Sequence, residues 1–188
     1  MASLYLIKHS MPEKVADRPA REWLLGDEGR ALAARLGERL AGLGIARLVS
    51  SVEPKARETA EVMGARLGLA VTAEEGLHEH ERERVPLFRD PSVLDAAVRD
   101  MFARPGEVVF GDESADQAHD RYAAAMHRVI GDGSDSIAVV SHGTVMALFV
   151  ARQGGLDPFP LWKSLGLPSC VTLSLPELRM VEVIQTPG

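Results

Sequence analysis

The sequence predicts an α/β fold, a three-layer α/β/α sandwich whose central sheet is mostly parallel and carries an antiparallel edge strand. Short apolar runs alternate with helical patterns along the chain, as in parallel sheets covered by helices on both faces. Most of these runs are continuous rather than alternating, which is typical of strands buried on both faces. The chain of 188 residues is expected to form one domain, 1–188.

The predicted strands are the apolar runs at 4–8, 46–50, 137–141, 171–175 and 180–184. The last two runs are close in sequence and are joined around Pro176. A short connection between neighbouring strands favours a hairpin, so these two are expected to pair antiparallel at the sheet edge.

Helical spacing of apolar residues appears between the strands. Helices are predicted at 32–43, from Pro54 to Gly68, and at 94–102, 113–130 and 144–152. Pro54 marks the start of the second helix and Gly68 its end, and Asp90-Pro91 opens the third.

The segment 74–110 contains a dense group of charges and is expected to form a lid above the sheet that determines specificity. Its apolar stretch 85–88 is expected to pack beneath that lid.

Composition and charge exclude several classes of protein. The apolar fraction of 46% and the charged fraction of 26% are typical of globular domains. A net charge of −6 argues against a general binder of nucleic acid or of an anionic membrane. Apolar runs fall short of the ~20 residues of a membrane span and no signal peptide is recognisable, so a cytoplasmic location is expected. The single Cys170 is expected to be a buried, inert thiol.

Polar residues follow several of the predicted strands directly. Those after the strands at 4–8, 46–50 and 137–141 are Lys8-His9-Ser10, Ser50-Ser51 with Lys55, and Ser141-His142-Gly143. Ligands of open α/β sheets bind beyond the carboxyl ends of the strands. Two predicted helices also begin there, and their free N–H groups favour an anion. These residues therefore predict a phosphate site.

Other kinds of site fit the pattern less well. The triplet His78-Glu79-His80 contains metal-binding residue types, but no further ligand follows at a suitable spacing. A serine hydrolase would use Ser10, Ser51 or Ser141, yet the sequence lacks a Gly-x-Ser-x-Gly elbow. The phosphate-binding loops of nucleotide-binding proteins are also missing from the sequence.

Motifs in a consistent order run from residue 4 to about 148. They are Leu6-Ile7-Lys8-His9-Ser10, Ser50-Ser51 followed by Lys55-Ala56-Arg57-Glu58-Thr59-Ala60, Leu77-x-Glu79, Gly111-Asp112-Glu113-Ser114 and Val140-Ser141-His142-Gly143. Together they resemble the histidine phosphatase superfamily, which has the phosphoglycerate-mutase-like fold. The stretch 29–37 is similar to the first helix of that family.

The resemblance implies a phosphomonoester hydrolase that needs neither metal nor cofactor and acts on a small-molecule phosphate ester. His9 would be the nucleophile, His142 would stabilise charge on the phosphate, and Glu79 would protonate the leaving oxygen. The phosphate-binding residues would be Lys8, Ser10, Lys55, Arg57 and Gly143. Crowding by the neighbouring residues Glu75, Glu81 and Glu83 is expected to raise the pKa of Glu79. The sequence indicates no nucleic-acid or membrane partner and leaves the oligomeric state open.

The chain departs from the family pattern at two positions. Lys8-His9-Ser10 stands where Arg-His-Gly is usual, and Lys55 replaces the arginine of the second motif. Lysine keeps the charge but loses the planar, bidentate contact with phosphate. If the two lysines together lose a few kcal/mol of transition-state stabilisation, the reaction becomes roughly 10- to 1,000-fold slower. Arg57, Arg82 or Arg84 is expected to compensate by pointing toward the pocket between the two histidines.

Two other functions stay open at this point. The lysines are compatible with a catalytically impaired family member that binds phosphorylated ligands or partners. A phosphomutase is a second alternative, although the mutases of the family are longer than this chain.

Overall fold

A six-stranded sheet forms the centre of the computed structural model, which describes residues 2–85 and 90–185. The strands are β1 (Ser3–Lys8), β2 (Ile45–Ser51), β3 (Val71–Glu74), β4 (Ser136–Ser141), β5 (Ser169–Ser174) and β6 (Met180–Gln185). Their order across the sheet is β3-β2-β4-β1-β5-β6.

Most of the sheet is parallel, as predicted. β1 and β2 each pair in parallel with β4, and β3 pairs in parallel with β2. β5 is antiparallel to both β1 and β6. The predicted hairpin at the edge is therefore confirmed, with the difference that the reversed strand β5 lies one place in from the edge.

The helices of the described residues are α1 (Asp27–Leu40), α2 (Pro54–Leu67), α3 (Pro91–Ala103), α4 (Ala115–Ile130), α5 (Gly143–Gly154) and α6 (Pro158–Ser164). α2 begins at its proline and ends before Gly68, which adopts the left-handed conformation. The sequence analysis missed β3 and α6. β3 has four residues and contains no buried position, and α6 has seven residues that include two prolines, so neither shows a clear periodicity.

Two hydrophobic cores cover the two faces of the sheet. Leu4 and Leu6 of β1 belong to the core that also contains residues of α4 and α5. Tyr5 and Ile7 belong to the opposite core, with residues of α1 and α2. Alternation along a strand explains this division, because successive side chains point to opposite faces. The predicted three layers are therefore present.

The segment between β3 and α4 carries α3, which is anchored on α6. The guanidinium carbon of Arg99 lies 3.8 Å from the centre of the Phe159 ring, and Asp95 pairs with Lys163. Most of the apolar stretch 85–88, which was expected to pack beneath this segment, lies outside the described residues.

Two further expectations concern membrane-spanning segments and the cysteine. Among the described residues, no helix is both long enough and apolar enough to cross a membrane. Cys170 lies buried in β5, and burial raises the pKa of its thiol to about 12. The expectation that this thiol is buried is confirmed, and a raised pKa disfavours its reactive thiolate form.

Candidate active site

The register of β1 and β4 brings the two histidines of the predicted site together. Lys8 and Ser141 are register partners, and the next residues are His9 and His142. The backbone N–H of His9 donates to the carbonyl of Ser141 at 2.9 Å. The imidazole rings lie edge to face, with centroids 5.2 Å apart. Both side chains are buried at the carboxyl ends of the parallel strands.

The ring of His9 is oriented by the chain itself. Its Nδ1 lies 2.8 Å from the carbonyl oxygen of Ser10. Since a carbonyl oxygen can only accept, Nδ1 carries the hydrogen and Nε2 keeps its lone pair. Burial, together with the nearby His142 and Lys55, holds the pKa of His9 well below its ordinary value of 6.5. His9 therefore offers a neutral Nε2 at physiological pH.

His142 stands immediately before α5 and faces the end of β2. Its Nε2 lies 3.0 Å from the hydroxyl oxygen of Ser51 and 3.6 Å from a carboxylate oxygen of Glu53. Burial and the charge of Lys55 lower the pKa of His142 well below 6.5, against the opposing influence of Glu79. The site thus contains two neutral imidazoles side by side.

Lys8 extends from β1 along the start of α5. Its ammonium group donates to the carbonyl of Leu165 at 2.8 Å. A Cβ at Gly143 would lie 3.2 Å from Cε of Lys8, so the absence of a side chain at Gly143 gives the lysine its room. Burial lowers the pKa of Lys8, and Glu79 acts in the opposite direction.

Lys55 lies at the start of α2 and is only 6% exposed. Its ammonium group donates to the carbonyl of Ala20 at 2.8 Å and to the carboxylate of Glu53. Glu53, the residue just before α2, accepts a further hydrogen bond from the backbone N–H of Glu79 at 2.8 Å. Sequence analysis did not identify Glu53, which lies between Ser51 and Lys55 in the second motif, where the family pattern assigned no role.

Glu79 occupies the N-terminus of α5. Its carboxylate accepts from the backbone N–H groups of Thr144 at 3.2 Å and Val145 at 3.3 Å. Its own neighbour, His80, donates a third backbone N–H at 2.9 Å. This end of the helix was expected to be free for a substrate anion, and a side chain of the protein satisfies it instead.

The expectation of a raised pKa for Glu79 is wrong. Burial pushes this pKa upward, but the charge that His142 carries once protonated at low pH, the charge of Arg82 and the His80 N–H outweigh it and lower the pKa to about 2. The carboxylates expected to crowd Glu79 are too exposed to do so, since the side chains of Glu81 and Glu83 are 48% and 55% exposed. Only the buried Glu53, among the carboxylates acting on Glu79, raises its pKa appreciably.

The loop that carries Glu79 is held by Arg121 of α4. The guanidinium of Arg121 donates to the backbone carbonyls of Gly76 at 2.9 Å, His78 at 3.0 Å and Glu79 at 3.2 Å. It also pairs with the buried carboxylate of Glu113 at 2.6 Å. We call this pair of residues the Arg121–Glu113 clasp. Sequence analysis missed Arg121 because it belongs to an ordinary amphipathic helix.

Two residues predicted to bind phosphate are engaged elsewhere. The backbone N–H of Ser10 donates to Thr59 at 3.0 Å and its hydroxyl donates to the Gly29 carbonyl at 2.7 Å, so both of its donors are used within the protein. The side chain of Arg57 is 60% exposed and pairs with Glu61 at 3.3 Å. Ser10 therefore has no free donor for an anion in this arrangement, and Arg57 pairs with an exposed carboxylate of its own helix.

Of the three arginines expected to compensate for the lysines, Arg82 has a charge that reaches the site. It lowers the pKa values of both Glu79 and His142. Arg84 is 83% exposed and pairs with Asp112, outside the pocket.

The residues of the triplet 78–80 point to different partners. His78 lies 3.1 Å from Glu81, while Nε2 of His80 lies 2.9 Å from the Glu113 carbonyl. Within 2–85 and 90–185, no group of three or more candidate ligands is placed to hold a metal ion.

Known proteins resemble this chain over most of its length. A family model described as histidine phosphatase superfamily (branch 1) matches residues 4–177. A probable phosphoglycerate mutase, GpmB of Salmonella paratyphi A, is 26% identical over 90% of this chain and 82% of its own length.

Solved structures share the fold. A mycobacterial glucosyl-3-phosphoglycerate phosphatase has a TM-score of 0.75 at 20% identity, with 100% of both chains covered. A phosphoserine phosphatase from Entamoeba histolytica has a TM-score of 0.73 at 18% identity and covers 99% of this chain and 98% of its own.

Proposed function

The chain belongs to the histidine phosphatase superfamily, and on that premise we propose that it hydrolyses phosphate monoesters through a phosphohistidine on His9. The observation that carries the proposal is the state of His9. Its Nδ1 is engaged by the Ser10 carbonyl and its pKa is lowered, so Nε2 is a neutral nucleophile in a buried pocket. The substrate class is a small-molecule phosphate ester.

In the first step, the lone pair of His9 Nε2 attacks phosphorus. An N–P bond forms while the ester P–O bond breaks, and the leaving oxygen takes the bonding electrons and a proton. Lys8 and Lys55 bring positive charge to the phosphoryl oxygens, and the buried His142 contacts the phosphate and stabilises charge on it. Transfer of a phosphoryl group depends mainly on such positioning and charge.

Glu79 is the proposed source of the proton. With a pKa of about 2, this carboxyl is ionised in the free site. A phosphate dianion that binds beside it raises its pKa, because like charges disfavour a second ionised group. Glu79 thus takes up a proton as the substrate binds and passes it to the leaving oxygen.

In the second step, a water molecule attacks the phosphorus of the phosphohistidine. The N–P bond breaks and its electrons return to Nε2 of His9, while the proton of the water goes to the Glu79 carboxylate. When phosphate leaves, the pKa of Glu79 returns to its low value and the carboxyl releases this proton to solvent, which restores the starting state.

A binding protein is the second candidate, and a specific observation favours it. Glu79 is ionised in the free site and so holds no proton for a leaving oxygen. This state weakens catalysis, while Lys8 and Lys55 still offer positive charge to a phosphorylated ligand.

The decisive experiment measures hydrolysis of an aryl phosphate from about pH 4 to pH 8 with EDTA present, for the native protein and for His9→Ala. We expect activity that resists EDTA and falls at least ~1,000-fold in the variant, because the nucleophile is gone. Mass spectrometry of rapidly quenched protein is expected to find the phosphoryl group on His9.

His127→Ala is the matched control, because His127 is an exposed histidine on α4. It is expected to keep full activity. A native protein that binds phosphate but hydrolyses no ester would favour the binding protein, and transfer of the phosphoryl group to a second alcohol would favour a mutase.

A further inference from the structure

The proposed reaction leaves one buried carboxylate of the site unused, that of Glu53. Its side chain is 10% exposed. It contacts Lys55, accepts the backbone N–H of Glu79 at 2.8 Å and lies 3.6 Å from Nε2 of His142. Glu53 is thus an anion among the groups that would bind an anion.

The contacts of Lys55 show what Glu53 does to the site. An ammonium group has three N–H donors, and Lys55 uses one on the Ala20 carbonyl and one on Glu53. One donor is left for a phosphoryl oxygen, and the adjacent carboxylate offsets the charge behind it. Lys8 differs in this respect, because its ammonium group donates to the neutral carbonyl of Leu165.

We propose that Glu53 is an internal counter-ion that lowers the affinity of the site for phosphate by pairing with Lys55. The proposal rests on the proposed function, since it concerns the same phosphoryl site. Inorganic phosphate binds to the same cations as the ester from which it is formed. A lower affinity for the product speeds its release, a step that limits turnover in many enzymes.

The first test compares binding of inorganic phosphate to the native protein and to Glu53→Gln by titration calorimetry at neutral pH. The glutamine oxygen still accepts the N–H of Glu79, so the substitution removes charge and keeps the hydrogen bond. We expect the affinity for phosphate to rise about tenfold, because a charge close to the anion is removed from a buried site.

Glu61→Gln is the matched control, since it removes the same charge from the exposed surface of α2, where Glu61 is 55% exposed. It is expected to leave the affinity unchanged. An unchanged or weakened affinity in Glu53→Gln would overturn the proposal. Structural damage does not produce the expected result, because a damaged site does not bind its ligand more tightly.

A second pair of variants keeps the proposal testable if Glu53→Gln does not fold. Lys55→Met leaves Glu53 without its cation and is expected to weaken phosphate binding more than tenfold. Lys55→Met combined with Glu53→Gln removes both charges and is expected to return the affinity to within about threefold of the native value. A double variant that binds as weakly as Lys55→Met would contradict the counter-ion role.

Binding and turnover separate this proposal from the proposed function. A native protein without phosphatase activity whose Glu53→Gln variant binds phosphate more tightly would support the counter-ion and refute the hydrolase. If the native protein is an active phosphatase and Glu53→Gln binds phosphate with the native affinity, the hydrolase is supported and the counter-ion role is refuted.

Discussion

At the residue scale, the site holds its two histidines neutral and its glutamate ionised. Burial disfavours the charged form of His9 and His142, and both also lie near the cation Lys55. Glu79 is only partly buried and lies against backbone N–H groups and the charge of Arg82. In the proposed reaction, His9 is therefore a nucleophile that needs no prior deprotonation, and Glu79 is an acid that must first gain a proton from its surroundings or its substrate.

This arrangement makes a prediction for Glu79→Gln. We expect kcat for an alkyl phosphate to fall by about 10²- to 10⁴-fold, because its alkoxide cannot leave without a proton. The loss for a nitrophenyl phosphate is expected to be much smaller, because nitrophenolate leaves unprotonated. Steady-state kinetics with the two substrates gives both values.

The exposed Glu81 provides the control, and Glu81→Gln is expected to hydrolyse both substrates at the native rate. Equal losses on the two substrates in Glu79→Gln would show that Glu79 acts on the structure of the site and not on the leaving group.

At the scale of the secondary-structure elements, α4 supports the site without contributing a group to the reaction. The Arg121–Glu113 clasp joins this helix to three backbone carbonyls of the loop that carries Glu79. Glu113 also accepts the backbone N–H of Glu81 at 3.0 Å, so the loop is held at two points. Charge-assisted hydrogen bonds of this kind are about twice as strong as neutral ones.

Arg121→Met tests the importance of this support. The substitution is expected to lower kcat by roughly 10- to 100-fold, because supporting residues of a site have effects of that size. It also leaves Glu113 buried without its cation and should lower the melting temperature by several degrees. Kinetics on an alkyl phosphate and a thermal melt give the two results.

Two comparisons identify the cause of that loss. Arg128→Met removes an exposed arginine of the same helix, which pairs with Glu74, and is expected to change neither result. In a Glu79→Gln background, Arg121→Met is expected to reduce kcat little further if Arg121 acts by placing Glu79. Fully additive losses would contradict that role.

At the scale of the whole molecule, burial of the two histidines links stability to pH. Their pKa values in the folded protein lie well below 6.5, so the unfolded chain binds more protons than the folded one below that pH. Stability therefore rises with pH up to about 6.5 and declines as the pH falls below it. Glu79 acts at lower pH, since its contribution is present above 4.5 and is lost as the pH falls toward about 2.

We therefore expect the melting temperature to be lower at pH 5.5 than at pH 7.5. Each histidine contributes up to about 1.4 kcal/mol per pH unit below its unfolded pKa. Denaturant unfolding at several pH values is expected to give a smaller slope for His142→Asn, because one of the two histidines is removed. Substitution of the exposed His127 by asparagine is the control and is expected to keep the native slope. A native-like slope in His142→Asn would contradict the link between burial of this histidine and the pH dependence of stability.

The sequence by itself determined five of the six strands, the two covered faces of the sheet and the order in which chemical groups reach one end of it. These features follow from local patterns: continuous apolar runs, helical spacing, and the residues directly after each strand. The family motifs at His9, Lys55, Glu79 and His142 are likewise short stretches that can be recognised without knowing the fold.

The tertiary structure alone decided the state of the site. Arg121 contacts carbonyls more than 40 residues away in sequence, such as that of Glu79 at a separation of 42, and Glu79 caps a helix that begins at Gly143. Glu53 lies two residues from Lys55 in sequence, but it meets the backbone of Glu79 only because β2 ends beside that loop. Charge, burial and hydrogen bonds act through space, so the pKa of Glu79 and the pairing of Lys55 depend on neighbours that no local pattern identifies.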